Sequence, residues 1–455
     1  MTMPLCVIHP LSYQPDPSAR FGRIRHAPSA VLLDSGQPVA QRGRFDVMSA
    51  WPRAVLETAP DESGNAFFQR LRQALEKLGE AGLPAGHHAP FAGGLIGLLS
   101  YDFGKRLEKL PQRAPDDLDL PAGRFGLYDW ALISDHQRQR SFLLFHPKKT
   151  ETERQRLIEL FKLESEASPL ANFQLRAGFQ PQLQVNEYRQ AIERIQQYIQ
   201  AGDCYQVNFA QRFDAPCQGD PWQAYLSLRA ACPTPYAGFL ALDDGAILSL
   251  SPERFLQLSD GQVETRPIKG TRPRRADPAA DAEQADALQA SGKDRAENLM
   301  IVDLLRNDLG RSCETGSVRV PELFSLESYP NVHHLVSVVT GTLAAGRDAF
   351  DLLAGSFPGG SITGAPKIRA MQIIDELETG CRSIYCGSLL YIDVRGAMDS
   401  SITIRTLLAR RGRLTCWGGG GIVADSNWQA EYQESLDKVR VLLSTLEALP
   451  RTPAA

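Results

Sequence analysis

The residues best suited to chemistry lie in the second half of the chain. Lys269 stands in Arg266-Pro267-Ile268-Lys269-Gly270-Thr271, between a short apolar run and a glycine turn. A lysine held at a strand end inside a pocket loses its proton through desolvation and becomes a nucleophile; an ordinary exposed lysine is the commoner meaning of such a run. Glu253 follows Ser251-Pro252, where a proline turn presents a carboxyl either as a general acid or as a surface cap. Asp294 and Glu297 share one face of an expected helix, and Glu431 and Glu434 share a face of another. Brought together, these faces would form an oxygen-rich site for a hard cation such as Mg2+; singly, each reads as a solvated face. Gly418 to Gly421 follow a strand expected over residues 413–417. Successive glycines let backbone N–H groups converge on an anion, or form a flexible hairpin turn. Their spacing fits neither a P-loop nor a dinucleotide fingerprint. His334, Tyr385, Arg405 and Lys438 add donors and cations. Alternation places Thr403 and Arg405 on one strand face, and a buried arginine needs an anion, best a carboxylate. Together these groups suggest a small anionic substrate and acid or nucleophilic chemistry, without naming a reaction.

Several elements must position them. Helices are expected over residues 294–308, 367–377 and 428–446. The clearest helix is capped by Asn186; Tyr188, Ala191, Ile192, Ile195, Tyr198 and Ile199 recur at helical spacing until Gly202 ends it. Residues 205–213 alternate as a half-buried strand, with Gln206, Asn208 and Ala210 on one face. Further strands are expected over 247–250, 255–258, 262–265, 387–394 and 402–409. Many follow one another through short turns, which implies antiparallel pairing and an α+β class. Earlier in the chain, residues 30–33 read as a strand, and the glycine-studded segment 93–101 reads as a buried element where backbones approach closely. A helix over 151–163 and an irregular stretch over 164–169 precede a boundary near Pro181. That boundary separates residues 1–150 from a catalytic region, 181–448.

The chain has 455 residues and is 43% hydrophobic, enough for a large core. Its 49 basic and 53 acidic residues leave a net charge of −4, which argues against a dedicated nucleic-acid binder. No run of 18 apolar residues occurs, so no membrane span is expected. Prolines occupy the N-terminal stretch where a signal peptide needs an apolar helix, and a cytoplasmic protein is expected. The 8 cysteines are scattered without a CxxC pair, so zinc and dithiol redox sites are disfavoured.

Read together, the motifs resemble those of the chorismate-utilising enzymes, a superfamily of aminodeoxychorismate, anthranilate, isochorismate and salicylate synthases. GDCYQVNFAQRF, SPERF, RPIKGTRPR, KDRAENLMIVDLLRNDLGR, VHHLVS, FPGGSITGAPKIRAMQIIDELE, YCGS, MDSSITIRT, GGGIVADS and EYQESLDK occur in the family's order between Val185 and Leu446. PSAVLLDSG, RFDV and GGLIGLLSYDFG carry a looser N-terminal match. The resemblance implies two large antiparallel sheets packed as a sandwich with helices outside, in one interwoven body. It implies Glu297 and Glu434 as Mg2+ ligands, with Asp294 and Glu431 holding the metal's water shell. It assigns Gly419, Gly420, Gly421, Tyr385, Arg405 and Lys438 to the carboxylates of chorismate, with Gly270, Thr271 and His334 lining the site. Glu253 matches the acid that protonates the leaving hydroxyl.

Two positions separate the family members. Gln206 stands where water-adding members carry a lysine; glutamine cannot act as a general base, so nitrogen is the expected nucleophile. Lys269 matches the nucleophilic lysine of aminodeoxychorismate synthases, where anthranilate synthases typically show alanine. The amine is then expected at ring carbon C4, with the enolpyruvyl group kept. No glutaminase signature occurs, so a separate glutamine amidotransferase subunit is expected to supply ammonia, and no fused lyase domain is expected. Ser35, Arg44, Phe45, Pro235, Tyr236 and Ala237 match the family's tryptophan pocket. The competing expectations are an anthranilate synthase component I and a tryptophan-binding regulatory subunit without activity.

Overall fold

A computed structural model describes residues 3–40, 43–162, 172–329 and 332–450. The expected irregular stretch 164–169 and the last residue of the helix expected over 151–163 lie outside the described residues. The described strands form two sheets, of 13 and 10 strands, whose named strands pair antiparallel. Labels are given to the elements that bear on the site: β1 (Val31–Asp34), β2 (Gly94–Leu99), β3 (Gln206–Gln218), β4 (Gly245–Ser251), β5 (Arg254–Ser259), β6 (Ile268–Pro273), β7 (Val332–Thr342), β8 (Thr406–Arg410) and β9 (Arg413–Ile422). The helices are α1 (Pro221–Ala231), α2 (Gly292–Gly310), α3 (Lys367–Leu377) and α4 (Trp428–Glu447).

The larger sheet runs β4-β8-β9-β3 toward one edge and reaches β1 through Tyr236–Leu242. The smaller one contains β6, β7, β5 and β2. Strands from residues 1–150 and from 181–448 thus lie side by side in both sheets. Alternation decides which core each side chain enters. Val207, Phe209 and Ile247 of the larger sheet pack with Leu95, Leu98 and Leu390 of the smaller. Leu248, next to Ile247, and Leu407, next to Leu408, point the other way, into a core with Trp222 and Tyr225 of α1 and Leu442 of α4, which Phe213 farther along β3 joins. Helices therefore cover the outside of the larger sheet.

The feature that creates the site is a double crossing between the sheets. β4 belongs to the larger sheet and β5 to the smaller, and Pro252-Glu253 is the link between them. The chain returns through Ile402 to Arg405, from Met398–Ser401 in the smaller sheet to β8 in the larger. The two crossings are bonded: Ile402 N–H donates to Glu253 O at 3.1 Å, and Ser251 Oγ donates to Ile402 O.

Four expectations about local structure need correction. A continuous strand over 402–409, with Thr403 and Arg405 on one face, does not form. Alternation of side chains carries no mark of a change of sheet; here Arg405 takes a left-handed φ of 50°, and Thr403 is bonded to Ile384 O and Gly387 O. Gly418 to Gly421 are not a turn. They lie inside β9, paired with Gln211 to Asn208 of β3. A Cβ at Gly418 would sit 2.2 Å from Ser435 O of α4, and one at Gly419 would sit 2.4 Å from Phe209 O. Lys269 lies within β6 rather than at a strand end. Asn186 is not a helix cap: the helix Val185–Gln200 starts at Gln184, whose N–H donates to Glu187, and Asn186 accepts from Arg189. Among the described residues no helix is long and apolar enough to cross a membrane.

Candidate active site

Lys269 enters the site from β6, beside a bulge where the register with β7 shifts. Gly270 makes the bulge with a φ of 74°, and a Cβ there would stand 3.0 Å from Cγ of Asp294. The glycine therefore lets α2 and its carboxylates approach the lysine. Lys269 Nζ donates a long hydrogen bond, 3.4 Å, to Ser361 O. Burial lowers its pKa below the usual lysine value, against the opposing pull of Glu253, Glu297 and Glu434. Glu253 is 5% exposed and accepts from Ser361 Oγ at 3.1 Å. Burial pushes its carboxyl up to about 7, although Lys269 beside it acts in the other direction. The site thus holds an amine of lowered proton affinity beside an acid of raised proton affinity.

The four predicted metal-site carboxylates come from α2 and α4, as their spacing implied. Burial, with Asp294 and Glu434 nearby, raises the pKa of Glu297. Burial also raises that of Glu431, whose Oε1 accepts from Ser426 Oγ. Glu434 is held low: burial raises its pKa, but Lys438 at 2.7 Å, Lys293 and Lys269 together outweigh that. Asp294 pairs with Arg272 at 2.9 Å. Among the described residues no three candidate ligands converge at coordination distance. The all-oxygen donor set and the mutual repulsion of Glu297 with Asp294 and Glu434 nevertheless fit a hard cation.

The glycine strand faces this cluster. A Cβ at Gly420 would lie 3.4 Å from carboxylate oxygens of both Glu431 and Glu434, and one at Gly421 would lie 2.8 Å from Gln206 Nε2. Lys438 Nζ also donates to Gly419 O at 2.9 Å. Gln206 is buried, and both its amide atoms lack a hydrogen-bond partner. Buried unpartnered amides are rare in proteins.

A second group lies on the β6–β7 side. His334 Nδ1 bonds Thr271 Oγ1 at 2.9 Å, and burial with Arg405 beside it pulls the imidazole down to about 4. His334 is therefore neutral near pH 7. Tyr385 is buried and stacks on Trp417 of β9, with centroids 6.0 Å apart and rings 6° from parallel. Two further residues here carry no sequence signal of their own: Ser361, in the glycine-rich FPGGS motif, and Cys386, which has a φ of 62° beside Tyr385. The low-propensity backbone at Cys386 and Arg405 is the kind of strain that gathers at functional sites.

The residues matched to a tryptophan pocket do come together. Ser35, Arg44, Phe45, Pro235, Tyr236 and Ala237 all line a cavity of about 1010 Å³. Pro252, Arg254 and Ile268 line it, but their neighbours Glu253 and Lys269 do not.

Comparison with known proteins agrees with this geometry. The profile of the chorismate binding enzyme family matches residues 29–444. The chain is 50% identical to aminodeoxychorismate synthase component 1 of Klebsiella aerogenes, over 96% of this chain and 98% of that protein. It is 48% identical to the protein of that name from Escherichia coli strain K12, over 94% and 95%. Anthranilate synthase component 1 of Thermus thermophilus is 39% identical over 92% and 93%. The crystal structure of anthranilate synthase component I from Streptococcus pneumoniae TIGR4 superposes with a TM-score of 0.77 at 30% identity, covering 88% of this chain and 92% of that one. The sandwich of two antiparallel sheets is thus the fold of that enzyme, and the chain belongs to the chorismate-binding enzyme family.

Proposed function

We propose that the chain converts chorismate and ammonia to 4-amino-4-deoxychorismate, as component I of an aminodeoxychorismate synthase. The observation that carries the reading is the pair Lys269 and Glu253, with the amine's pKa lowered and the acid's raised to about 7. Close relatives of the chain bear the corresponding name.

In this mechanism neutral Lys269 Nζ attacks ring carbon C2. Both ring double bonds shift, the C4–O bond breaks, and Glu253 supplies the proton with which the hydroxyl leaves as water. Ammonia then attacks C4, both double bonds shift back and the C2–Nζ bond breaks, restoring the lysine, while the proton shed by the new C4 ammonium returns to Glu253. Chorismate and ammonia give aminodeoxychorismate and water, and the enolpyruvyl group stays in place. Gln206 cannot take a proton from water, so it offers no route to the hydroxylated isomer. Arg405, Lys438, Tyr385 and the N–H groups of Gly419 to Gly421 would hold the two carboxylates, with Gly270, Thr271 and neutral His334 shaping the wall. Glu297 and Glu434 would hold Mg2+, with Asp294 and Glu431 around its waters. When bound, the ion neutralises a substrate carboxylate.

Ammonia would come from a separate glutamine amidotransferase, as the designation "component 1" of the relatives suggests. The product would feed 4-aminobenzoate and folate synthesis in the cytoplasm, where the free thiols stay reduced. Residues 1–150 and 181–448 are read as one folding body, because each sheet draws strands from both. Tryptophan is proposed as a ligand of the cavity, on the strength of the six matched lining residues; calorimetry without heat on adding tryptophan would remove it.

The test of the reaction is to incubate the purified chain with chorismate, Mg2+ and ammonium chloride. Nitrogen gained with pyruvate retained supports the reading. Release of pyruvate with anthranilate would favour the anthranilate synthase alternative, and an oxygen isomer would refute the role of Gln206. An absence of turnover, even with an amidotransferase present, would favour a regulatory subunit.

A further inference from the structure

Behind the site lies a buried ion pair that hydrogen-bonds none of the groups assigned to substrate. Arg382 and Glu378 have side chains 1% and 6% exposed. They are joined twice, Nη2 to Oε1 at 2.6 Å and Nε to Oε2 at 2.9 Å. Glu378 follows the last turn of α3 and also accepts from Ala210 N–H of β3 at 2.9 Å. Arg382 uses its remaining reach on two carbonyls: Nη2 donates to Asn208 O at 2.6 Å, and Nη1 to Ile362 O at 2.9 Å. Its guanidinium lies 4.6 Å from the ring centroid of Tyr101 and 5.9 Å from that of Tyr385.

Each partner leads to a different part of the site. Ile362 follows Ser361, whose hydroxyl donates to Glu253 and whose carbonyl faces Lys269. Asn208 pairs with Gly421 across β3 and β9 and is two residues from Gln206. Tyr385 stacks on Trp417 of β9. Three separate segments therefore meet on one planar, rigid cation. A buried ion pair is a poor device for stability, since apolar residues of similar volume often serve as well. A fork of fixed N–H directions is a good device for setting the relative positions of carbonyls.

We propose that Arg382, braced by Glu378, is a positioning residue for the reaction: it sets the loop bearing Ser361 against the glycine strand and Tyr385. This rests on the reading of Lys269 and Glu253 as the reacting groups. The geometry makes its effect fall on turnover more than on substrate affinity, because the Ser361 loop touches both reacting groups.

The experiment compares the full chain with three variants: R382M/E378M, R382K and K269A. Melting temperature, kcat and KM for chorismate are measured in saturating ammonium and Mg2+. The double variant leaves no orphaned buried charge, but Asn208 O, Ile362 O and Ala210 N–H lose a partner, so it is expected to fold with a lowered melting temperature. Its kcat should fall about 100-fold, the scale of a small misplacement of reacting groups, with a smaller change in KM. R382K keeps the charge opposite Glu378 but loses the fork, and its kcat should fall between the two. A folded double variant with wild-type kcat overturns the proposal. Where the double variant does not fold, R382K decides, and wild-type kcat in that variant overturns it equally. K269A reports separately: if it keeps the wild-type rate, the reading of the reacting groups fails, whatever the Arg382 variants do.

Discussion

Two buried polar clusters in this molecule are built to opposite rules. In the first, near the N-terminal strands, nearly every hydrogen-bonding site is filled. Asp34 accepts from Gly36 N–H, Tyr225 Oη, and Arg229 Nε and Nη2 at 2.6 to 3.2 Å. Asp46 accepts from Ser35 N–H and Oγ and bonds His136 Nε2 at 2.7 to 2.8 Å, and His136 Nδ1 meets Tyr13 Oη. In the second, around Lys269, short bonds such as Lys438 to Glu434 at 2.7 Å stand beside long or missing ones. Lys269 reaches Ser361 O at 3.4 Å, and Gln206 leaves both amide atoms unpartnered. A satisfied network specifies a fold, whereas an under-satisfied one leaves its groups ready for a ligand. The contrast explains why shifted proton affinities at Lys269 and Glu253 read as chemistry, while the equally buried Asp34 reads as structure.

The largest expected effect is on Lys269. K269A should lower turnover by about 10⁴-fold or more while leaving the melting temperature near that of the wild type. Equal turnover in ammonium would erase the distinction between the clusters. Next is Glu253. E253Q should cost about 10²- to 10⁴-fold in kcat, because glutamine supplies no proton. The wild-type pH profile carries the same information. Glu253 must hold its proton, so kcat/KM should fall as pH rises through about 7. Lys269 must be without its proton, so it contributes a rise in kcat/KM with pH through its lowered pKa. A profile flat from pH 6 to 9 would remove Glu253 as the acid.

How much of this was legible in the sequence differs between the two levels. The candidate residue types and the helical carboxylate pairs could be read directly, because three-residue spacing on a helix fixes a common face. The place of Arg405 could not, since the strand that seemed to carry it is a crossing between sheets. Gly418 to Gly421 misled in the same way: glycine suggests a turn, but here it lets α4 and β3 come close to a strand. Ser361 and Arg382 escaped notice because their meaning depends on partners 108 and 174 residues away. No local pattern encodes such contacts.

Smaller effects sharpen the comparison by moving stability and activity in opposite directions. D46N in the satisfied cluster should destabilise the fold by about 1–3 kcal/mol, since it leaves Ser35 or His136 without its acceptor. Denaturant titration would show the loss, with turnover of the folded fraction unchanged. Q206L in the unsatisfied cluster should do the reverse. Removing two unpartnered buried atoms should stabilise by about 1 kcal/mol, and ammonia-dependent turnover should fall. A Q206L protein less stable than the wild type would mean that the amide is satisfied after all.

The central claim is that Lys269 forms a bond to the substrate ring, and mass spectrometry of the quenched protein tests it most directly. The wild-type chain is mixed with chorismate and Mg2+ without ammonium, quenched in acid and digested. The account predicts a mass gain equal to chorismate less one water on the peptide bearing Lys269, lost when ammonium is supplied before the quench and absent from K269A. The contradicting result is an unmodified Lys269 peptide in the wild type, together with K269A that still turns chorismate over at the wild-type rate.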